Sequence, residues 1–328
     1  MTVDLKLGEE ILFLSDADIR SIGITAEEVN ESVEAVFRAK GEGRTAMRPK
    51  LSVNLPGNQQ FQAKAGVSQD PPYAAVKWVC PTPANDKKGI PLYRPIILLN
   101  DAETGLPLAM LDGMWVTGVR TAAMTTIAAK YLADPESESL GLLTGGLQAY
   151  THLDQMAAMF PSLRKVLCGS RTRATAERFA EYARSKGFEV EMPENREDIA
   201  YGVGILASTI PHGKGDPPFL DCAKLREGSF VGMVDLGNTF FPETFGAIDK
   251  MVTDDVEQSA PGGPEPLPWT LPFYGEIGDL CAGTKRGRES DKERNGVIFS
   301  GIGLGDVGPS ALAFERARAR GIGQVLTL

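Results

Sequence analysis

Residues Ser139-Leu-Gly-Leu-Leu-Thr-Gly-Gly-Leu-Gln-Ala149 read as an apolar strand, a glycine pair and the start of a helix. Such a turn offers bare backbone N–H groups, and glycine lacks the β-carbon that would hold a phosphate away. The helix expected from about Gln148 to Phe160 directs the positive end of its dipole at an anion. Gly145 and Gly146 are therefore candidate pyrophosphate contacts, with Thr144, Leu147 and Gln148 beside them. Thr144 stands where a Gly-x-Gly-x-x-Gly fingerprint has its first glycine. The same residues are thus compatible with a plain strand-to-helix turn that binds nothing.

The flanking sequence narrows the choice. Lys165–Cys168 reads as a second strand, and Thr172–Lys186 as an amphipathic helix with Ala176, Phe179 and Tyr182 on one side. Phe188–Glu191, Val203–Ser208 and Ser229–Val234 read as three further strands. Strands alternating with helices at this spacing describe βαβ units on a parallel sheet, a Rossmann arrangement. A dinucleotide lies across the carboxyl ends of such strands, which brings Ser208, Thr209 and Val234 into the candidate set. Beyond the second strand, Ser170-Arg171-Thr172 offers an arginine and two hydroxyls where an NAD-selective domain carries an acid. A guanidinium fork suits a ribose 2′-phosphate, so NADP(H) is favoured and NAD(H) stays open. An ordinary helix start, with Ser170 or Thr172 as its cap, accounts for the same residues.

With 328 residues the chain has room for two domains, and 42% hydrophobic residues are enough for their cores. A net charge of −9 without a basic stripe argues against a nucleic-acid partner. No apolar run approaches the length of a membrane span, and the acidic N-terminus is unlike a signal peptide. A cytoplasmic protein is expected. Cys80, Cys168, Cys222 and Cys281 are scattered, as reduced intracellular thiols are, and His152 and His212 have no ligand spacing. No metal site is expected, and the default position for His152 is the surface. The Gly- and Pro-rich stretch Glu257–Pro272 reads as disordered or a lid, and Trp269, Phe273 and Tyr274 favour a packed lid.

Before the Rossmann region, Ile11–Leu14 reads as a strand and Thr25-Ala-Glu-Glu28 as a capping box opening a helix to about Lys40. Phe61–Val67, Ala74–Cys80, Tyr93–Leu99 and Leu106–Met114 follow as extended segments, with Asn100–Gly105 a turn. An antiparallel sheet is the simplest arrangement. Ser310–Arg320 is helical and is expected to pack back on this region. Two cations stand out. Lys77 lies in Ala74-Ala-Val-Lys-Trp-Val-Cys80, where it either points to solvent or faces a cleft as an acid/base group. Arg120 opens Arg-Thr-Ala-Ala-Met124; it is either a solvated helix-start residue or a clamp for a substrate carboxylate.

Ala75–Val79, Ile97–Gly113, Val116–Ala123, the Gly-Gly-Leu-Gln-Ala turn and Gly275–Arg288 follow one another in a pattern that resembles the ornithine cyclodeaminase/μ-crystallin family. Asp306 and the helix to Arg320 complete the likeness, which runs from about Ile11 to Gly323. The resemblance implies an α/β protein: a Rossmann nucleotide-binding domain (126–307) plus a mixed α+β dimerisation and substrate domain with an antiparallel sheet (1–125 and 308–328). It implies a homodimer, and it adds Thr121 to the nucleotide contacts. Carried over by position, Lys77 and Arg120 hold the substrate carboxylate, with Lys77 near the proton transfer. Lys50 stands where the family has a further carboxylate-binding arginine, with Arg48 as the alternative.

One departure bears on chemistry. Gly237 falls at the position of the cyclodeaminases' catalytic aspartate, Asp235 lies two residues earlier, and the nearby family lysine is Phe241. Asp235 replaces the missing acid only if the strand end is bulged. The expected activity is that of an NAD(P)H-dependent oxidoreductase acting on a small α-imino or α-amino acid, with Lys77 or Asp235 moving the proton. Ornithine or lysine cyclodeamination is the alternative within the family, and a nucleotide-dependent binding protein the alternative outside enzymes.

Overall fold

Capping and apolar periodicity build the first elements. Strand β1 (Glu10–Leu14) leads into the short helix α1 (Asp16–Ser21) and then α2 (Ala26–Gly41). The Thr25 hydroxyl accepts from the Glu28 N–H at 3.3 Å, and the Glu28 carboxylate accepts from the Thr25 N–H at 2.9 Å. That reciprocal pair satisfies two backbone donors and fixes where α2 begins. From there Val29, Val33, Val36 and Phe37 recur on one buried face. The computed structural model describes residues 2–55, 59–143, 145–210 and 217–328. Thr144 and His212 lie outside them.

Backbone contacts divide the chain into a first unit, Met1–Arg120 with Gly301–Leu328, and a second unit, Thr121–Ser300. The divisions fall a few residues from the boundaries read off the sequence, 125/126 and 307/308. The earlier one lies inside the continuous helix α3 (Met114–Leu132), where no residue pattern marks a break.

In the first unit, β2 (Thr45–Met47) and β3 (Leu51–Leu55) both pair with β4 (Gln59–Ser68), and β5 (Tyr73–Val79), β6 (Ile96–Asp101) and β7 (Pro107–Asp112) continue an antiparallel ladder. At the β6–β7 turn Asp101 accepts from the Thr104 N–H and hydroxyl, both at 2.7 Å. β1 joins parallel to β7, so the sheet is mixed. Side chains alternate between its faces. Ala75, Lys77, Val79, Ile97 and Leu99 are buried on the inner face, whereas Trp78, Ile96 and Leu98 stand exposed on the outer one.

The second unit begins with the part of α3 from Thr121 onward. It continues through β8 (Ser139–Leu143), α4 (Leu147–Met159), β9 (Lys165–Gly169), α5 (Arg173–Ser185) and β10 (Glu189–Glu191). Then come α6 (Arg196–Tyr201), β11 (Ile205–Ser208), β12 (Phe230–Met233) and β13 (Lys250–Thr253). The short α7 (Val256–Ser259), β14 (Gly275–Glu276), α8 (Ile277–Cys281) and β15 (Asn295–Ile298) complete it. Its sheet is parallel, in the order β10-β9-β8-β11-β12-β15-β13-β14. Winding proceeds outward from β8 in one direction and from β11 in the other. The reversal between them is the switch point at which open α/β sheets bind ligands.

One local expectation is corrected here and another made specific. His152 is fully buried: Nδ1 is 2.7 Å from the Gln148 carbonyl and Nε2 3.1 Å from the Thr125 hydroxyl. Burial pushes its pKa down to about 4, so it is a neutral core residue. Within Glu257–Pro272, Trp269 is only 2% exposed and packs on Phe245 at 5.0 Å between ring centroids. Its indole belongs to the core of the second unit, beside Leu267 and Ile298. The tryptophan is thus packed, as its aromatic neighbours in the sequence led one to expect, and it packs as a core residue.

The chain returns to the first unit as α9 (Leu304–Arg320) and β16 (Gln324–Thr327), the latter antiparallel to β1. α9 packs against α2 so closely that a β-carbon on Gly308 would collide with the Ser32 carbonyl. Arg316 forks onto Glu28 across the same contact.

Candidate functional site

Pairing of β4 with β5 sets Lys64 directly opposite Lys77 on the inner face of the first unit's sheet. Like charges facing each other across strands are destabilising, more so when both are buried. Yet Lys64 is 7% exposed and Lys77 2%. Arg120 joins them at 6% exposure, and Asp306, in the first turn of α9, is fully buried. Lys77 Nζ donates to Asp306 Oδ1 at 2.7 Å, and Arg120 Nε lies 3.4 Å from the same oxygen. The other oxygen, Asp306 Oδ2, is buried and has no hydrogen-bond partner among the described residues.

Gly301 makes room for this cluster. Its φ of +87° is left-handed, and a β-carbon there would come 2.7 Å from Arg120 Nη1 and 3.1 Å from Lys64 Nζ. The guanidinium and the Lys64 ammonium thus converge on one spot. Burial pushes the Lys77 pKa down to about 8; repulsion from Arg120 adds to this and the Asp306 carboxylate only partly opposes it. Lys64 is pushed well below the ordinary lysine range by burial and by Arg120, Lys77 and Lys50, with Asp306 again opposing. Lys50 is half-buried and acts on Lys64, while Arg48 is exposed. Lys77, Arg120 and Lys50, named from the sequence, therefore belong to one electrostatic cluster. Lys64 was missed, although a turn centred on Asp70-Pro71 pairs residues symmetrically about it and so sets 64 against 77. Tyr93 also feels Arg120, which partly offsets the upward push of burial on its phenol.

In the second unit the glycine turn follows β8 at the switch point, and its two glycines serve different ends. A β-carbon on Gly145 would lie 2.8 Å from the Thr175 carbonyl, so Gly145 is required for α5 to pack. Gly146, exposed and capping α4, has nothing within 4 Å of its β-carbon position and leaves the helix end open to a ligand. Gly146 caps α4 without a side-chain hydrogen bond, as a helix end that receives an anion does. Leu147 and Gln148 start α4, half-buried, and Thr121 is buried in α3. Beyond β9, Ser170 is half-buried and Arg171 exposed. Thr172 caps α5, its hydroxyl accepting from the Thr175 N–H at 3.4 Å.

The ends of β8, β11 and β12 lie side by side. The Thr209 hydroxyl donates to the Leu143 carbonyl at 3.3 Å. The Ser208 hydroxyl donates to Asp235 Oδ2 at 2.7 Å, the Thr239 hydroxyl donates to the same oxygen, and the Gly237 N–H reaches Oδ1 at 3.2 Å. After the half-buried Val234, the chain turns through Leu236 and Gly237, both left-handed at φ 60° and 75°. No side chain exists at Gly237, and the Asp235 carboxylate is engaged within the second unit. Burial raises its pKa against the pull of those hydrogen bonds.

Among the described residues no group of three His, Cys, Asp or Glu is placed to hold a metal ion, and no helix is long and apolar enough to cross a membrane. The ornithine cyclodeaminase/mu-crystallin family model matches residues 9–320. The chain belongs to that family. Alanine dehydrogenase from Archaeoglobus fulgidus is 29% identical over 323 residues, covering 96% of this chain and 97% of that protein. An archaeal alanine dehydrogenase dimer with bound NAD superposes with a TM-score of 0.85 at 28% identity, covering 97% of this chain and 99% of its own. The Thermococcus litoralis Δ1-pyrroline-2-carboxylate reductase, in complex with NADH and L-proline, gives the same TM-score of 0.85 at 28% identity, over 96% of this chain and 99% of that one. This member of the family thus shares its fold and nearly its full length with amino- and imino-acid oxidoreductases.

Proposed function

We propose that the protein is an NAD(P)H-dependent oxidoreductase of a small α-imino or α-amino acid, with the second unit as nucleotide domain and the first as substrate and dimerisation domain. The observation that carries this reading is the buried cation cluster around Asp306. A guanidinium takes a carboxylate in a planar fork, and Arg120 stands in this cluster beside Lys77 and Asp306. Arg120 and Lys50 orient the carboxylate and so fix the α-carbon. Reduction adds a hydride to that carbon and a proton to the nitrogen, turning C=N into CH–NH. A bound reduced nicotinamide supplies the hydride. Lys77 supplies the proton, and its pKa of about 8 lets it give and regain one near neutrality. Asp306 holds Lys77 in place through the 2.7 Å contact.

Asp235 takes a supporting part in this scheme, bracing the ends of β11 and β12 through Ser208 and Thr239. Ring closure of ornithine calls for an acid at the position of Gly237, so reduction is favoured over cyclodeamination. Arg171, exposed beyond β9, supports NADP(H) as the preferred nucleotide. The outer sheet face, with Val53, Trp78, Ile96 and Leu98 each 41–49% exposed, supports a homodimer that covers it. Four free cysteines, three of them buried, support a reducing, cytoplasmic location.

The test is oxidation of NADPH and NADH against cyclic and acyclic α-imino acids, beside ammonia release from ornithine. Steady nucleotide oxidation with an imino acid is expected. Ammonia release from ornithine without net nucleotide change would replace this reading by cyclodeamination, and neither activity would leave a binding protein.

A further inference from the structure

Asp306 meets its neighbours through one oxygen only. Oδ1 accepts from Lys77 Nζ at 2.7 Å and lies 3.4 Å from Arg120 Nε. Oδ2 is buried and has no hydrogen-bond partner among the described residues. An acid in the first turn of a helix often turns back to accept from that helix's own N–H groups. Asp306, in the first turn of α9, does not. A buried acceptor left without a donor is costly, and a charged one more so. The two oxygens of a carboxylate lie side by side, so a donor that reaches Oδ2 stands next to the Lys77 ammonium. The proposed reaction puts one donor there, the substrate nitrogen, which must lie beside Lys77 to take its proton.

From this arrangement we propose that Asp306 Oδ2 binds the substrate nitrogen, and that this contact selects an imine or amine over a ketone or alcohol of the same carbon skeleton. The inference rests on the oxidoreductase reading above and adds the group that recognises the nitrogen. A carboxylate oxygen only accepts hydrogen bonds. An iminium or ammonium N–H donates to it with opposite charge, and such bonds are stronger than neutral ones. A keto acid sets a carbonyl oxygen in the same place, acceptor against acceptor. In the reductive direction Lys77 gives its proton to the imine lone pair, and the iminium N–H so formed donates to Oδ2. Fixed negative charge beside the nitrogen stabilises that cation. Hydride addition to the α-carbon then turns the C=N π pair into the nitrogen lone pair. The nucleotide is oxidised, and neutral Lys77 recovers a proton from water.

Binding and turnover are read separately on the full-length protein. With NAD+ or NADP+ present, calorimetric titrations compare L-alanine with L-lactate, L-leucine with L-2-hydroxyisocaproate and L-glutamate with L-2-hydroxyglutarate. At least one amino acid should bind more than about tenfold tighter than its hydroxy partner, as a charge-assisted hydrogen bond implies. Turnover compares NADPH and NADH oxidation by each 2-oxo acid with and without ammonia, because ammonia converts part of it to the imine in solution. Imine reduction should exceed keto reduction by more than about tenfold on the same grounds. In Asp306→Asn both ratios should fall toward one. Loss of the charge that Lys77 and Arg120 share can unfold this variant, so a thermal melt accompanies it. Lys77→Met and the double variant Lys77→Met/Asp306→Asn give the same comparison with one cation fewer. Lys77→Met should keep the amino-over-hydroxy preference in binding while turnover drops, and adding Asp306→Asn should remove the preference.

A wild type that binds neither class, or binds both equally, overturns the proposal even if imines are reduced. So does a preference that survives Asp306→Asn in either background. Loss of the preference in Lys77→Met alone assigns it to the lysine and overturns the proposal too. A preference that depends on Asp306, without reduction of any imine, upholds the nitrogen site and sinks the oxidoreductase reading.

Discussion

Raising the pH should stabilise the first unit, because folding weakens the grip of Lys77 on its proton. In the folded protein its pKa is about 8, against an ordinary 10.5. Between those values the unfolded chain binds more protons than the folded one, so the free energy of unfolding climbs with pH. The sign is that of a depressed lysine: the penalty is full below about pH 8 and has vanished once pH passes the unfolded value of 10.5. At about 1.36 kcal/mol per pH unit, the interval from about 8 to 10.5 amounts to about 3 kcal/mol. Lys77→Met should abolish that part of the slope. Lys64 is depressed in the same direction and contributes with the same sign, so the wild-type rise is the larger of the two. Urea unfolding between pH 7 and 10.5 measures it, followed by tryptophan fluorescence in a Trp269→Phe background. Trp78 and Trp115, both in the first unit, then carry the signal. Parallel stability curves for wild type and Lys77→Met across that range would refute the desolvation argument.

The two turn glycines should separate cleanly. Gly145→Ala should destabilise the second unit, since its methyl meets the Thr175 carbonyl, whereas Gly146→Ala should fold normally and weaken nucleotide binding; thermal melts with and without NADPH distinguish them. Arg171→Ala should cost NADPH about 1–3 kcal/mol of binding, as for a charged hydrogen bond, and leave NADH almost unchanged; equal loss for both nucleotides would remove the 2′-phosphate argument. Arg120→Ala should chiefly raise KM, with incomplete rescue by Arg120→Lys, because a point charge lacks the planar fork. Trp269→Ala should cost about 3–5 kcal/mol, the usual range for emptying a buried aromatic site, and a change below 1 kcal/mol by denaturant unfolding would mean the indole is no part of the core.

Local signals were legible wherever chemistry acts over a few residues. The capping box at Thr25, the Asn100–Gly105 turn, the apolar strands and the glycine turn before α4 are properties of short segments, and the structure has them where they read. Elements whose stability comes from burial were not. β15 starts with Asn295-Gly296, which locally looks like a hairpin turn, yet it is a central buried strand. Glycine is needed there because a β-carbon at 296 would lie 2.9 Å from the Val231 carbonyl, and Asn295 donates to the Leu132 carbonyl at 3.0 Å.

The sequence by itself determined the βαβ order, the candidate phosphate turn and the identity of Lys77 and Arg120 as unusual cations, because periodicity and residue type suffice for those. Only the tertiary structure decided which charges meet. Strand register set Lys64 opposite Lys77, and the return of the chain through α9 brought Asp306, far away in sequence, to both Lys77 and Arg120. It also gave Gly145 a packing reason beside its place in the candidate phosphate turn, and it moved His152 from the surface to the core. The physical reason is the same in each case. Desolvation and Coulomb energy depend on neighbours in space, and a linear pattern carries no information on neighbours that pairing and packing alone create.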